Sequence, residues 1–255
     1  MKVKNFILIK LFFIFIILIN SNVAIAGDCE TTVSNSLTSQ LECSDNDTLN
    51  VAISGSVIKT GADTIHAKNH SDVTIDNKGT ISASTNQAIN MQHAVNTTVT
   101  NSGTIEATLR NAILMDGDNA DSNTINNSGT LKAGKKQVIL ATNSENTTII
   151  NSGSIETTDS SNPNTNGINY YNTSGSAING ATITNSGTIF AYGMGIRFGT
   201  QGNANKTVND MTITNSGTIE GGTASIEVYN DNTTGTNIIT KDEGTYIGEL
   251  SLIHI

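Results

Sequence analysis

Apolar and polar residues alternate in short runs along most of the chain. Runs such as TVT and TIE place one branched apolar residue between polar neighbours. A period of two is typical of β-strands, whose successive side chains point to opposite sides, and it differs from helical spacing. Isoleucine and valine occupy most of the apolar positions, which agrees with strand formation. The pattern therefore predicts an all-β protein.

A nine-residue motif with a constant glycine recurs along the chain. It reads TNSGTIEAT at 100–108, TNSGTIFAY at 184–192 and TNSGTIEGG at 214–222, and weaker copies lie between and before these. The six glycines are Gly79, Gly103, Gly129, Gly153, Gly187 and Gly217. Further copies centre on Gly55 and Gly244, so that successive intervals range from 24 to 34 residues. Repeats of about 20 to 50 residues indicate stacked architectures.

Three apolar positions keep a nearly constant distance from these glycines. Four residues before the glycine stand Val51, Ile75, Val99, Ile125, Ile149, Ile183 and Ile213. Two residues after it stand Val57, Ile81, Ile105, Leu131, Ile155, Ile189 and Ile219. Nine or ten residues further on stand Ile65, Ile89, Ile113, Ile139, Ile196 and Ile226. The three positions predict a right-handed parallel β-helix, a solenoid of about eight turns with three short strands per turn.

The NSG triplet is predicted to form a tight bend between two strands. Glycine is expected there because it adopts a positive φ without steric cost. Two residues before the glycines stand Asn77, Asn101, Asn127, Asn151, Asn185 and Asn215. Stacked asparagines can pass side-chain hydrogen bonds along a column. In the first and last turns, the same spacing places Ile53 and Asp242 in this position.

The N-terminus has the layout of a secretory signal peptide. Lys2 and Lys4 precede an apolar block, and Ala24 and Ala26 stand at −3 and −1 of a predicted cleavage site. An uncleaved anchor is the alternative, but the block is shorter than the roughly 20 residues that span a bilayer. Residues 1–26 are therefore predicted to be a signal peptide of an exported protein.

The chain contains only two cysteines, Cys29 and Cys43. In an exported protein, a close and even pair predicts a disulfide. A loop of this size would contribute about 3 kcal/mol. We therefore assign residues 27–50 to an N-terminal cap that covers the edge of the first turn. Residues 51–255 are assigned to the β-helix.

Charge and composition narrow the classes of partner. Removing the signal peptide removes three lysines and no acidic residue, so the net charge of −9 becomes −12. This argues against a nucleic-acid partner, which requires a clustered basic surface. The polar bias and the sparse aromatic residues would also fit a disordered chain. The regular repeat decides for the β-helix.

The longest interval contains an insertion loop, 159–180, and the next turn is rich in aromatic residues. Four residues of this region are candidates for contact with a glycan or protein ligand: Tyr170, Tyr171, Tyr192 and Arg197. In the alternative interpretation, Phe198 fills the core and the tyrosines are loop residues that cover it.

Other candidate chemistry has less support. Asp116, Asp118 and Asp121 in MDGDNAD are oxygen ligands suited to calcium, but the distal glutamate of an EF-hand loop is missing and a polar loop explains them equally well. The four histidines show no metal-ligand spacing, and no acidic pair recurs as in glycoside-cleaving enzymes. We predict no catalytic residue, metal site or cofactor.

The signal peptide, the cysteine-bracketed segment and the degenerate TITNSGTIE turns resemble the passenger region of Gram-negative autotransporters. The resemblance implies a right-handed parallel β-helix on the cell surface, often serving adhesion or aggregation, followed by a β-barrel translocator. The chain ends in GELSLIHI without a run of amphipathic strands. The expectation is therefore a truncated passenger, or an exported β-helix that uses another route.

The expected function is attachment to a host-cell or glycan surface, or aggregation, by a non-enzymatic scaffold. The protein is expected at the cell surface and outer membrane or outside the cell, with the periplasm as the alternative. A secreted glycan-processing enzyme, with the insertion in its groove, and a truncated product without present function are the alternatives. The apolar last turn, which ends in LSLIHI, predicts self-association.

Overall fold

The computed structural model describes residues 28–171, 173, 178–199, 208–230, 238–241 and 245–254. The predicted signal peptide, residues 1–26, lies outside these residues. Within them the chain forms 27 β-strands and no helix. Accordingly, no described helix is long and apolar enough to cross a membrane.

The strands, numbered in chain order, form three faces of a solenoid. Face A contains β1 (Thr31–Val33), β4 (Thr48–Val51), β7 (Thr74–Asn77), β10 (Thr98–Asn101), β13 (Thr124–Asn127), β16 (Thr148–Asn151), β20 (Thr182–Asn185), β24 (Thr212–Asn215) and β26 (Ile238–Lys241). Face B contains β2 (Ser36–Leu37), β5 (Ser56–Lys59), β8 (Thr80–Ala83), β11 (Thr104–Ala107), β14 (Thr130–Ala133), β17 (Ser154–Thr157) and β21 (Thr188–Ala191). Face C contains β3 (Leu41–Glu42), β6 (Ile65–His66), β9 (Ile89–Asn90), β12 (Ile113–Asp116), β15 (Ile139–Thr142), β18 (Ile168–Tyr171) and β22 (Met194–Phe198).

Two long strands, β25 (Thr218–Asn230) and β27 (Thr245–His254), each continue from face B into face C. The short strands β19 (Ile178–Asn179) and β23 (Val208–Asn209) pair separately with each other. Neighbouring strands are parallel throughout the described residues. The predicted parallel β-helix with three strands per turn is therefore confirmed. It has about seven turns rather than eight, because faces B and C merge in the last layers.

The core is built from the three predicted columns of branched side chains. On face A, Val99 lies between Ile75 and Ile125, and on face B, Ile105 lies between Ile81 and Leu131. All are fully buried. Layers about 4.8 Å apart bring each side chain against its equivalents above and below.

The predicted insertion loop, 159–180, contains strand β18, so that only its two flanks are loops. Ile168 in β18 pairs with Ile139 in the preceding layer and Ile196 in the next. The spacing rule missed Ile168 because about ten extra residues precede and follow the strand. The insertion therefore leaves the third core column unbroken.

The six asparagines of the repeat form a continuous buried column at the corner between faces A and B. Each Nδ2 donates to the Oδ1 of the asparagine in the next layer, at 2.7 or 2.8 Å. Each Nδ2 also lies within hydrogen-bond distance of the carbonyl oxygen of the turn glycine two residues later. These side chains satisfy backbone groups that the bend would otherwise bury unpaired.

The ends of this column differ from the prediction. Val51, not Ile53, pairs with Asn77, because the first corner is two residues longer, and Ile53 is 84% exposed. Among the described residues, the Oδ1 of Asn77 therefore accepts no hydrogen bond. At the other end, Lys241 pairs with Asn215, while Asp242 lies outside the described residues.

The turn glycines are required for a reason other than the predicted positive φ. None of the six has a positive φ. Instead, a Cβ atom on Gly103 would overlap the carbonyl oxygen of Gly79 in the layer before it, and Gly129 stands in the same relation to Gly103. Glycine is needed here because the corners of successive layers approach too closely for any side chain.

The predicted disulfide between Cys29 and Cys43 is confirmed, and both residues are buried in the core. The segment assigned to the cap, 27–50, contributes β1, β2 and β3, which pair in parallel with β4, β5 and β6. The disulfide therefore closes the first layer of the stack. At the opposite end, the predicted self-association segment lies in β27, whose side chains beyond Tyr246 are not described.

Candidate functional site

Tyr170, one of the four candidate contact residues, lies inside the core. It is fully buried, its ring stacks on Phe198 with centroids 5.0 Å apart, and its hydroxyl and that of Thr147 form a hydrogen bond of 2.6 Å. Burial raises the pKa of this phenol far above its ordinary value. The space for the ring arises because Ala141 is its neighbour in the preceding layer. Tyr170 is therefore unable to contact a ligand, and that part of the prediction is wrong.

The other three candidates lie on two different faces. Tyr171 is half-exposed at the end of β18 on face C. Arg197 also lies on face C, where its Nε is 3.0 Å from a carboxylate oxygen of Glu227. Tyr192 follows β21 on face B. The structure therefore does not bring the four predicted residues together into one surface.

Face B instead presents an aromatic pair that the sequence analysis only half identified. Phe190 and Tyr192 are two residues apart on the same strand direction, and both are half-exposed. Their rings meet edge to face, with centroids 5.0 Å apart and an interplanar angle of 80°. The backbone N–H of Tyr192 donates to the hydroxyl of Thr157 in the layer before, at 3.0 Å. Outward alternation along β21 would have paired Phe190 with Tyr192 from the sequence.

Two carboxylates flank the aromatic pair. Phe190 pairs in register with Glu156 in the preceding layer and Glu220 in the next, and both glutamates are half-exposed. Above Tyr192 stands Gly222, which has no side chain to cover the ring. We call these four side chains, Phe190, Tyr192, Glu156 and Glu220, the aromatic surface.

The charges beside the aromatic surface alternate along face B. Lys132 Nζ lies 2.8 Å from a carboxylate oxygen of Glu156, and this pairing raises the pKa of the lysine. Glu106 precedes Lys132 in the same outward column and accepts a hydrogen bond from Ser82 at 3.0 Å. Phe190 therefore interrupts a column of charged and polar side chains with an apolar ring.

The three aspartates considered for calcium point to different partners. Asp118 accepts a hydrogen bond from Asn143, and Asp121 accepts one from Asn146. Burial raises the pKa of Asp116. In the described part of the chain, no group of three or more His, Cys, Asp or Glu side chains is placed to hold a metal ion.

The histidines near the first layers pair with carboxylates of the preceding layer. His70 Nδ1 lies 3.1 Å from Asp45, and His66 contacts Glu42 in the same way. The backbone N–H of Ser71 and the His70 side chain lower the pKa of Asp45. These pairs connect exposed side chains of neighbouring layers and build no enclosed site.

The aromatic surface is thus the most distinctive outward chemistry of the described chain, and it lies on a rigid parallel sheet. No protein-family model, no curated protein and no solved structure matches the chain, so that the fold and this geometry carry the functional argument.

Proposed function

We propose that the chain is an exported, non-enzymatic β-helix that mediates attachment to glycan-bearing surfaces through the aromatic surface. The observation that carries this proposal is the half-exposed pair Phe190–Tyr192 between two outward carboxylates. An uncovered ring at an outward strand position gains nothing from the core, so a partner is the natural origin of its burial.

The chemistry of the aromatic surface suits a sugar. The C–H groups of a pyranose pack on an aromatic ring, while its hydroxyls donate to carboxylates, which accept only. Glu156 and Glu220 lie on opposite sides of Phe190, one layer away each. A single sugar residue on Phe190 would reach either carboxylate.

The proposed location outside the cell rests on three features. The N-terminus has the layout of a signal peptide. The disulfide between Cys29 and Cys43 is typical of oxidising compartments. The degenerate turns resemble autotransporter passengers, which supports display on the cell surface or release from it.

A glycan-processing enzyme is the second candidate, because Glu156 and Glu220 are two layers and hence roughly 9 to 10 Å apart. Some glycosidases use carboxylates at a similar separation. In this protein, however, Phe190 occupies the layer between them, where the scissile sugar would lie. This arrangement favours binding over hydrolysis.

The test compares the wild-type chain with the double variant Phe190→Ser/Tyr192→Ser on a glycan array and on cultured cells. Tyr171→Ser is the matched control, since it removes a half-exposed aromatic ring from face C. We expect the double variant to lose binding and the control to retain it. The same preparations are assayed for release of reducing sugar from the glycans that bind.

Each outcome separates the candidates. Binding that depends on Phe190 and Tyr192 without release of sugar supports attachment. Release of sugar by the wild type, lost in Glu156→Gln or Glu220→Gln, would establish the enzyme instead. Absence of binding to any glycan or cell would refute the attachment function.

A further inference from the structure

The outward side of face A carries an uncharged array of threonines from β10 to β24. One outward position of these five strands holds Thr98, Thr124, Thr148, Thr182 and Thr212. The other holds Thr100, Asn126, Ile150, Thr184 and Thr214. Every one of these side chains is half-exposed or exposed. We call this set the threonine face.

The threonine face is regular in two dimensions. Thr98 pairs with Thr124, which pairs with Thr148, and the pairing continues through Thr182 to Thr212 without a register shift. The intervals between these residues vary from 24 to 34 positions in the sequence. The spacing is about 4.8 Å between strands and about 6.6 Å between outward neighbours on one strand. Insertions in the chain are thus absorbed elsewhere, and the lattice stays intact.

Strand propensity alone does not account for the threonine face. Threonine is favourable at any outward strand position. On face B, however, the equivalent outward column contains Glu106, Lys132 and Glu156. On face C, Arg197 and Glu227 are outward. In a chain with a net charge of −9, the five strands of the threonine face carry no outward charge.

The side chains of the threonine face are also held rigidly. Threonine is restricted at χ1 by its branched Cβ, so each hydroxyl and methyl group has a defined position. The buried asparagine column ends the same strands and fixes their register. A rigid, uncharged lattice of hydroxyl and methyl groups favours a partner that is itself periodic.

We propose that the threonine face binds the ordered water lattice of ice. Its two repeats lie near the distances between oxygen atoms on the faces of hexagonal ice, so that several hydroxyls fit the lattice at once. Charged groups would hold a mobile hydration shell, and they are absent here. A flat polysaccharide would be expected to stack on aromatic rings, and the ten side chains include none. This function is independent of the aromatic surface on face B.

The test measures how the purified chain divides between slowly grown ice and the remaining solution. The array variant is Thr124→Lys/Thr148→Lys, which places two charges in adjacent layers of the threonine face. The matched control is Thr104→Lys/Thr130→Lys, which makes the same change in adjacent layers of face B. Circular dichroism and the midpoint of thermal unfolding establish that both variants fold.

We expect the wild type and the face B control to be enriched in ice and to shape growing ice crystals. The array variant should be excluded from ice to the level of a bystander globular protein. Exclusion of the wild type to that level would overturn the proposal. Equal incorporation of the array variant would also overturn it, as would binding to crystalline cellulose or chitin but not to ice.

Discussion

Each asparagine of the buried column joins three neighbouring layers through one side chain. Asn127 illustrates the arrangement, because it accepts a hydrogen bond from Asn101 at 2.8 Å and donates one to Asn151 at 2.7 Å. Its Nδ2 also lies 3.1 Å from the carbonyl oxygen of Ser154. An amide that bonds on both sides cannot be removed without leaving two neighbours unsatisfied.

We expect Asn127→Ala to lower the free energy of unfolding by about 3 kcal/mol, because it leaves a buried donor on Asn101 and a buried acceptor on Asn151. Asn126→Ala, which removes a half-exposed amide from the outer side of the same strand, should cost about 0.5 kcal/mol or less. Urea unfolding followed by circular dichroism measures both. Equal costs for the two variants would contradict a structural role of the column.

The sequence was sufficient to place these asparagines in register but not to explain the glycines beside them. A constant spacing from one repeat to the next predicts which residues stack. It does not give the distance between stacked corners, and that distance is what excludes a Cβ atom at Gly103 and Gly129. A conformational argument was therefore made where a steric one applies.

At the scale of strands, β18 and β22 widen the core locally. The inward position next to Ile168 is Tyr170, and the equivalent position in the next layer is Phe198, so that two rings stack where the earlier layers have Met115 and Ala141. The period of two predicted that such positions alternate. It could not show that the insertion contains a strand, because the spacing from the glycine is lost there.

The buried phenol of Tyr170 makes stability depend on alkaline pH. Its pKa is raised in the folded protein, whereas the unfolded chain ionises near the ordinary value of about 10. The stabilisation is therefore complete below pH 10 and falls by about 1.4 kcal/mol per pH unit above it. Thermal unfolding midpoints between pH 8 and about 11 should decline more steeply for the wild type than for Tyr170→Phe.

Tyr192→Phe is the control for this pH effect, since it removes a phenol from face B and retains Tyr170. It should keep the decline of the wild type. A Tyr170→Phe protein with the same decline as the wild type would show that another group causes it.

For the molecule as a whole, stability is arranged along one axis. Each layer contacts only the layers before and after it, as the register of all three faces shows. In such stacks the stability of a region depends on its neighbours, and the terminal layers open first. The disulfide is placed at one terminal layer, where opening would begin.

We expect reduction of the disulfide to accelerate amide hydrogen exchange in β1 to β6 and to leave β13 to β17 unchanged. The loop between Cys29 and Cys43 restricts only the unfolded first layer, with a contribution of about 3 kcal/mol. Mass spectrometry of peptides before and after reduction measures this, and the chain has no other cysteine to reduce. Uniform acceleration along the chain would mean that the stack unfolds as one unit.

The register of face A is maintained although the interval between its strands varies from 24 to 34 residues. This tolerance has a consequence for how the gene can change. Near-identical blocks of nine codons invite unequal recombination, and an event that begins and ends at equivalent positions removes or duplicates one whole turn. The strands that then meet already match in their core residues and asparagines. We therefore expect the length of this protein to be free to vary by whole turns, while each surviving turn keeps its structure.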